Sequence, residues 1–392
     1  MRSVPRSPPS HPRRLAECHN IDDLRLVAYR RLPAPVFHFL DGAAEGEVSA
    51  QRNVAAFDEI KLAPRYLVDV HSVNTETTVL GQKVAWPVFC SPTGGARIFH
   101  PDGERAVARA ALQSGIYFGL STNATVSLEE IAKVGPGPKL FQLYIFKNRD
   151  LTRDLIERCK RAGFTALCLT VDVPVIGKRE RDLRTGFGIP IRPSVQLLLS
   201  FLRRPRWSLQ HWMSESLSIP NLEGQVGSRD LLAQMRYIGQ QLDPSVSWND
   251  LRAFIDLWGG PFAVKGVLAA DDARRAVEAG ASAVIVSNHG GRQLDGAVAA
   301  IEALPDIVAA VGSQVEVLLD GGVRRGTHVL KALALGAKAC SIGRPYLYGL
   351  SAGGEAGVAR ALTLLRSELV RAMQLSGCPD LAQVNSALLH RN

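Results

Sequence analysis

The 392-residue sequence contains no uninterrupted apolar run long enough to cross a bilayer as a helix. Cysteine is sparse and scattered: Cys18, Cys90, Cys159, Cys168, Cys340 and Cys378 form no CxxC pair, and several lie within apolar runs such as FCS and LCL. That argues against a disulfide framework or a zinc site and for reduced, buried thiols in a cytoplasmic protein. The N-terminal stretch MRSVPRSPPSHPRR has no apolar segment behind its charges, so it does not read as a secretory signal. It is rich in Pro, Ser and Arg and has no acid, and residues 1–16 are expected to form a disordered tail. No aromatic-rich nucleic-acid motif accompanies the net charge of +9. The basic balance therefore points to anionic small molecules or an anionic membrane surface, and nucleic acid ranks last.

What is present is an alternation. Eight short apolar or β-branched runs each lead into polar residues: VAWPVFC into SPTGG, IYFGL into STN, KLFQLYIF into KNRD and FTALCLT into VDVP. PFAV leads into KGV, AVIV into SNHGG, EVLL into DGGVRRG and KACSI into GRP. Between them lie amphipathic stretches such as DGERAVARAALQSG, DARRAVEAG and GTHVLKALALG, which finish on glycine as helices often do. Eight strand–helix units predict an α/β fold, a (β/α)8 TIM barrel spanning residues 17–392 as one domain. An open doubly wound sheet is the rival, and it lacks the GxGxxG that would open its first helix. Two segments fall outside the repeat. Residues of about 15–60 read as helices capping one end, and the fourth unit carries a long insertion, about 183–247, before WNDLRAFIDLWG.

Active sites of such barrels lie at the C-terminal ends of the strands. The sixth strand ends in SNHGGRQLDGA, residues 287–297. Histidine and arginine three residues apart read as a base and an anion clamp, a metal ligand and its neighbour, or ordinary surface. With one histidine at a strand end, a metal site is not expected. DGGVRRG (320–326) and GRP (343–345) end the seventh and eighth strands, where barrels often bind phosphate through glycine amides and a helix N-terminus. Arg324 and Arg344 would add charge-assisted bonds. Lys265 sits inside the apolar PFAVKGV, where an unpaired ammonium is costly. It could form a Schiff base or sit beside a cofactor that gains negative charge. Asp172, ending the fourth strand, is either the orienting partner of His289 or a helix N-cap.

Taken in order, LPAPVFHFLDGAAE, SPTGG, FQLYIFKNRD, LTVDVPVIGKRERD, VKGV, SNHGGRQLDG, DGGVRRG and IGRPYLYG resemble the FMN-dependent L-2-hydroxy acid dehydrogenase/oxidase family. The likeness runs from about Ile21 to the C-terminus and is strongest to membrane-associated lactate and mandelate dehydrogenases. It implies a flavin site in which Pro92, Thr93 and Gly94 lie against the ring and Ser121, Gln142 and Thr170 bond its polar edge. Lys265 would neutralise the reduced ring. Ser287 would contact the ribityl chain, and Asp320, Gly321, Gly322, Arg324, Gly343 and Arg344 would hold ribityl and phosphate. His289 would be the base and Asp172 its partner. Arg292 and Arg179 would grip the substrate carboxylate, Tyr144 would bond near the reacting hydroxyl, and the glycines after His289 would let a flavin approach. The reaction implied is oxidation of an L-2-hydroxy acid to the 2-keto acid, in a homotetramer.

One position departs from this pattern. Phe39 stands where most members carry a tyrosine that helps bind the carboxylate, removing a bond to a charged group worth roughly 1.5–3 kcal/mol. The expectation is a more apolar pocket that prefers bulky or aryl 2-hydroxy acids. The insertion contains PSVQLLLSFLRRPRW, which suits either an anionic membrane surface or a soluble lid. Membrane docking would make a quinone or another respiratory carrier the electron acceptor in place of oxygen. Two rivals stand beside this reading, an FMN-dependent isomerase and a flavin-binding regulatory protein without catalysis.

Overall fold

The structure is a computed structural model that describes residues 12–187, 194–223 and 231–390. Its centre is a closed barrel of eight parallel strands. In chain order the strands are a short hairpin, β1 (Thr77–Val79) and β2 (Gln82–Val84), and then the barrel itself. The barrel comprises β3 (Val88–Thr93), β4 (Phe118–Ser121), β5 (Lys139–Leu143), β6 (Ala166–Thr170), β7 (Phe262–Val267), β8 (Ala283–Val286), β9 (Glu316–Asp320) and β10 (Ala339–Ile342). Every strand pairs with its neighbour in sequence, and β10 closes on β3. Each of the eight runs read from the sequence forms one of these strands.

Side chains alternate along each strand, and the alternation sorts them into two cores. Phe89, Leu140, Ala166, Cys168, Ala263, Ala283, Ile285, Leu318 and Ala339 pack together inside the barrel. The intervening residues, among them Cys90, Phe141, Leu167, Val264, Val284, Leu319 and Cys340, pack outward against the helices. Continuing the inward register to the strand ends reaches Ser91, Ser121, Gln142, Thr170, Lys265, Ser287, Asp320 and Ser341. All eight are buried, and all eight are polar. The apolar filling thus gives way to a polar floor one layer below the C-terminal rim. The hairpin β1–β2, not anticipated from the sequence, joins the inner core from the other end through Val79, Leu80 and Val84. Tyr117 donates to the Leu80 carbonyl (3.2 Å), and the Leu80 amide donates to Glu316 (2.8 Å).

The N-terminal segment is helical as expected: Ile21–Arg31, Ala34–Asp41 and Val48–Glu59. Asn20 caps the first of these by accepting from the Asp23 amide (2.8 Å), with acids in its first turn and arginines in its last. The expected tail boundary at residue 16 falls inside a 3-10 turn, Leu15–Glu17, and Arg30 donates to the Pro12 carbonyl (2.6 Å). The rest of that tail lies outside the described residues. The insertion between β6 and β7 contributes helices Glu180–Thr185, Val195–Leu202, Pro205–Trp212 and Leu231–Gln241 before Trp248–Trp258. All six cysteines are free and buried.

Candidate active site

The polar floor is organised around a buried ion pair. Lys265 Nζ lies 2.7 Å from Asp320 Oδ2 and donates to Ser287 Oγ (2.9 Å). Ser287 donates to the same carboxylate oxygen (2.7 Å), while Ser91 (3.2 Å) and Ser341 donate to the other. Burial alone would push both groups toward neutrality, but each stabilises the other's charge. The Lys265 ammonium is held above its ordinary range by Asp320 and Asp172, which outweigh its burial. For Asp320, burial is outweighed by Lys265 and the serine hydroxyls, which bring the carboxyl to about 2.

Above this floor, at the end of β8, His289 Nδ1 faces Asp172 Oδ1 at 3.0 Å. Asp172 lies at the end of β6; burial pushes its carboxyl up, and the charge and hydrogen bond of His289 together with Lys265 outweigh this, leaving it below its ordinary value. Gly266 follows Lys265 at φ +104°, and a Cβ there would come within 2.7 Å of Asp172. Its glycine therefore keeps β7 and the Asp172 carboxylate in contact. His289 itself has φ +57°, a left-handed conformation costing a non-glycine residue about 1–2 kcal/mol, and its amide donates to Ser287 Oγ (3.0 Å).

The two glycines after His289 are closely packed from the protein side. A Cβ on Gly291 would lie 2.5 Å from the Ala50 amide nitrogen, and one on Gly290 would lie 2.9 Å from Arg344 Nη1. What packs against this backbone is the helix Val48–Glu59 and a guanidinium. Gly322 meets the same helix, where a Cβ would sit 1.9 Å from the Asn53 carbonyl oxygen.

Four arginines converge on the cavity over the floor. Arg292 Nη1 donates to the carbonyls of Phe39 (3.0 Å) and Gly42 (2.7 Å). Arg344 donates to Gly290 (3.0 Å) and Gly42 (2.7 Å), and Arg324 to Val323 (2.8 Å). The Nε atoms of Arg179 and Arg344 are buried without a partner. Among the described residues, no carboxylate lies within ion-pair distance of any of the four. Burial and mutual repulsion with Arg179 and Arg344 hold the Arg292 guanidinium far below its ordinary range, and burial lowers Arg179 and Arg324. Cations gathered this way need anionic ligands to offset their desolvation.

Phe39 lies in the wall of the same cavity. Its ring stacks on Phe99 (6.2 Å between centroids) and meets Phe187 edge-on (5.6 Å), and the Arg292 guanidinium stands 5.5 Å above it. Two residues later, Asp41 anchors that helix by accepting from Arg25 (2.6 Å), Tyr348 (2.7 Å) and Arg181 (3.1 Å).

Most residues expected to form the site come together. Phe39, Pro92, Thr93, Gly94, Ser121, Tyr144, Arg179, Lys265, His289, Arg292, Asp320, Gly321, Gly322, Arg324, Gly343 and Arg344 line one cavity. Four lie outside its lining. Asp172 stands behind His289, Ser287 beneath Lys265, Gln142 is bonded to Ser121 (2.9 Å) and the Leu143 carbonyl (2.7 Å), and Thr170 lines a neighbouring cleft. Asp320, expected to hold ribityl and phosphate, lines the cavity and is in contact with Lys265 and three serines. Residues not read from the sequence are Ser91, Ser341, Asn123, and the apolar Ile219, Leu231, Met235, Ile238 and Leu242 that the insertion brings to the wall. The first two were legible in the strand register; the insertion residues carried no signal. Among the described residues no cluster suits a metal ion.

A cavity floored by a buried lysine and ringed by uncompensated guanidiniums fits a planar cofactor bearing a phosphate, together with a small anionic substrate. The comparisons with known proteins agree. A sequence model of the FMN-dependent dehydrogenase family matches residues 28–391. The chain is 46% identical over 376 residues to L-lactate oxidase of Nostoc sp., covering 95% of this chain and 98% of that protein. It is 41% identical over 374 residues to glycolate oxidase 1 of Zea mays, covering 94% and 95% respectively. The crystal structure of the monotopic membrane protein (S)-mandelate dehydrogenase superposes with a TM-score of 0.92 at 40% identity, covering 96% of this chain and all of that one. The chain belongs to the FMN-dependent dehydrogenase family, and it is an FMN-dependent enzyme of the 2-hydroxy acid oxidase and dehydrogenase type.

Proposed function

We propose that the protein oxidises an L-2-hydroxy acid with a bulky apolar side chain, lactate-like in its acid end and mandelate-like in its side chain, to the 2-keto acid. The observation that carries the substrate class is the wall facing the arginines: Phe39, Phe99, Ile176, Ile219, Met235 and Ile238 surround the cavity with apolar surface. Arg179 and Arg292 take the substrate carboxylate. The bonds that Arg292 Nη1 makes to Phe39 and Gly42 fix its plane and leave its other nitrogens for the ligand. With an ionised Asp172 accepting from Nδ1, His289 presents Nε2 as the base that removes a substrate proton, and the resulting imidazolium is stabilised by the same carboxylate. Burial pushes the Tyr144 phenol up to about 12, so it stays protonated and donates a hydrogen bond near the reacting hydroxyl. FMN, when bound, supplies the two-electron acceptor. Lys265 on the cavity floor would supply it with a positive charge, and Arg324, Arg344 and the backbone around Gly343 would hold its phosphate.

Phe39 puts an aromatic face beneath Arg292 where the family pattern has a tyrosine hydroxyl. Phe39→Tyr is expected to raise kcat/KM for glycolate relative to mandelate by about tenfold, the equivalent of one recovered hydrogen bond to a charged group. Comparable kcat/KM for glycolate and mandelate in the unaltered enzyme would count against the bulky-substrate reading.

The insertion supports a peripheral membrane contact and, with it, a quinone or other respiratory carrier as electron acceptor. Helices Val195–Leu202 and Pro205–Trp212, joined by stacked Phe201 and Trp207 rings (5.4 Å), leave Leu198, Leu202, Leu209 and Trp212 exposed beside Arg203 and Arg206. No helix among the described residues is long and apolar enough to cross a membrane. Sedimentation with anionic vesicles at low salt is expected, and is lost in Leu198→Asp/Leu202→Asp. Protein that stays in the supernatant would favour the lid reading.

A further inference from the structure

At the end of the barrel opposite the candidate active site, a second cleft of about 660 Å³ opens between three segments. Trp86 stands just ahead of β3, Gln113 and Ser114 lie at the end of the helix Gly103–Gln113, and the remaining wall comes from the C-terminal helix Arg344–Leu375. Strand starts and helix C-termini meet at this end of a (β/α)8 barrel. On the C-terminal helix Thr363, Ser367, Val370 and Gln374 follow at intervals of three or four residues and form one face. Arg366 and Arg371 flank that face and line the same cleft.

The lining holds two arginines and no acid. Both acids of the C-terminal helix are engaged elsewhere, Glu355 with Arg109 and Glu368 with Arg325 (3.0 Å). Arg360 of that helix donates to the Cys18 carbonyl (2.6 Å), but Arg366 and Arg371 make no hydrogen bond or ion pair among the described residues. They are exposed, at the mouth of the cleft. Trp86, at its closed end, is wholly buried, and its Nε1 has no hydrogen-bond partner. The backbone around it is pinned. The Ala85 amide donates to the Gly115 carbonyl (2.8 Å), the Ala85 carbonyl accepts from Thr75 Oγ1 (2.8 Å), and the Trp86 carbonyl accepts from the Val88 amide (2.8 Å). An indole N–H normally finds an acceptor when buried, and one left without destabilises the fold.

We propose that this cleft is a second ligand site, which takes a phosphate monoester on an apolar body. Arg366 and Arg371 hold the phosphate at the mouth through charge-assisted bonds, Leu362 and Val370 pack against the body, and Trp86 donates its N–H to an acceptor atom at the inner end. The site shares no lining residue with the cavity that holds the four converging arginines, so its occupancy leaves the reaction site open.

The test is the indole N–H spectrum of the FMN holoenzyme carrying isotope-labelled tryptophan, recorded by NMR during titration with phenyl phosphate and with 4-acetylphenyl phosphate. Trp86 is one of five tryptophans, and Trp86→Phe identifies its resonance. That resonance is expected to move downfield and saturate with the acetyl compound, whose carbonyl supplies the acceptor, while those of Trp207, Trp212, Trp248 and Trp258 stay in place. In Arg366→Gln/Arg371→Gln the Kd rises by about tenfold or more, with kcat and KM for the hydroxy acid unchanged. A spectrum in which neither compound moves any indole resonance overturns the proposal, whether or not Trp86→Phe folds. So does a double arginine variant that binds as tightly as the unaltered protein. Vesicles containing phosphatidic acid, offered to the Leu198→Asp/Leu202→Asp protein, separate two sources of the same chemistry. Movement of the Trp86 resonance with the vesicles assigns the cleft to a lipid headgroup, and movement with the soluble ester alone assigns it to a free phosphate ester.

Discussion

Lys265→Met is expected to destabilise the protein by about 3–5 kcal/mol, because it leaves Asp320 as a buried carboxylate without its counter-ion. The double variant Lys265→Met/Asp320→Asn should be destabilised less than the single one, since the uncompensated charge is gone. Denaturant unfolding of the four proteins in this cycle measures the coupling. Its pH dependence gives an internal check. In the unaltered protein Asp320 is held at about 2, so the stability it contributes is present above the ordinary carboxyl value of 3.8 and is lost as pH falls through about 2. In Lys265→Met the shift reverses, because burial is no longer opposed by the lysine charge. The deficit should then shrink as pH falls and Asp320 takes up a proton. Additive effects of the two substitutions, with no change in pH dependence, would mean that the pair is not a coupled ion pair. The two variants that lack Lys265 should also lose flavin reduction, because the positive charge proposed to serve the cofactor is absent in each.

His289→Gln should lower the rate of substrate-dependent flavin reduction by about 10²–10⁴-fold, the range general base catalysis supplies. Flavin content and thermal stability should change little. Glutamine faces the same unfavourable φ as histidine, so the backbone strain at position 289 does not confound the comparison. Stopped-flow reduction under anaerobic conditions separates this loss from any effect on reoxidation. A variant that reduces its flavin at an undiminished rate would remove His289 from proton transfer and leave the contact with Asp172 as a structural one.

Much of this arrangement was legible in the sequence because two simple periodicities govern it. Eight apolar runs separated by helical stretches dictated a closed parallel barrel, and the strand ends carried the polar residues by which the site was found. The same alternation also holds the serines at 91 and 341, since each falls on the inward side of its strand. Other features depend on contacts between distant segments. That the helix Val48–Glu59 passes too close to Gly291 and Gly322 for a Cβ was not legible in either glycine motif. Asp320 took its expected role toward ribityl and phosphate from the family resemblance, and its ion pair with Lys265, 55 residues away in the chain, was not legible in either motif. The insertion's apolar and basic stretch carried a surface signal, but nothing in it marked Met235 and Ile238, which the fold brings to the wall of the cavity that Phe39 also lines. The unpaired N–H of Trp86 carried no sequence signal, because it is visible only once its surroundings are known.

The most direct test of the central claim is anaerobic bleaching of the bound flavin by L-mandelate, L-lactate and glycolate, offered separately to the purified enzyme. The structure predicts rapid reduction, fastest with mandelate and slowest with glycolate, since the arginines and His289 serve every member of the series and the apolar wall serves only the largest. A flavin that none of the three reduces would contradict hydroxy acid oxidation altogether and favour the isomerase or the regulatory flavoprotein.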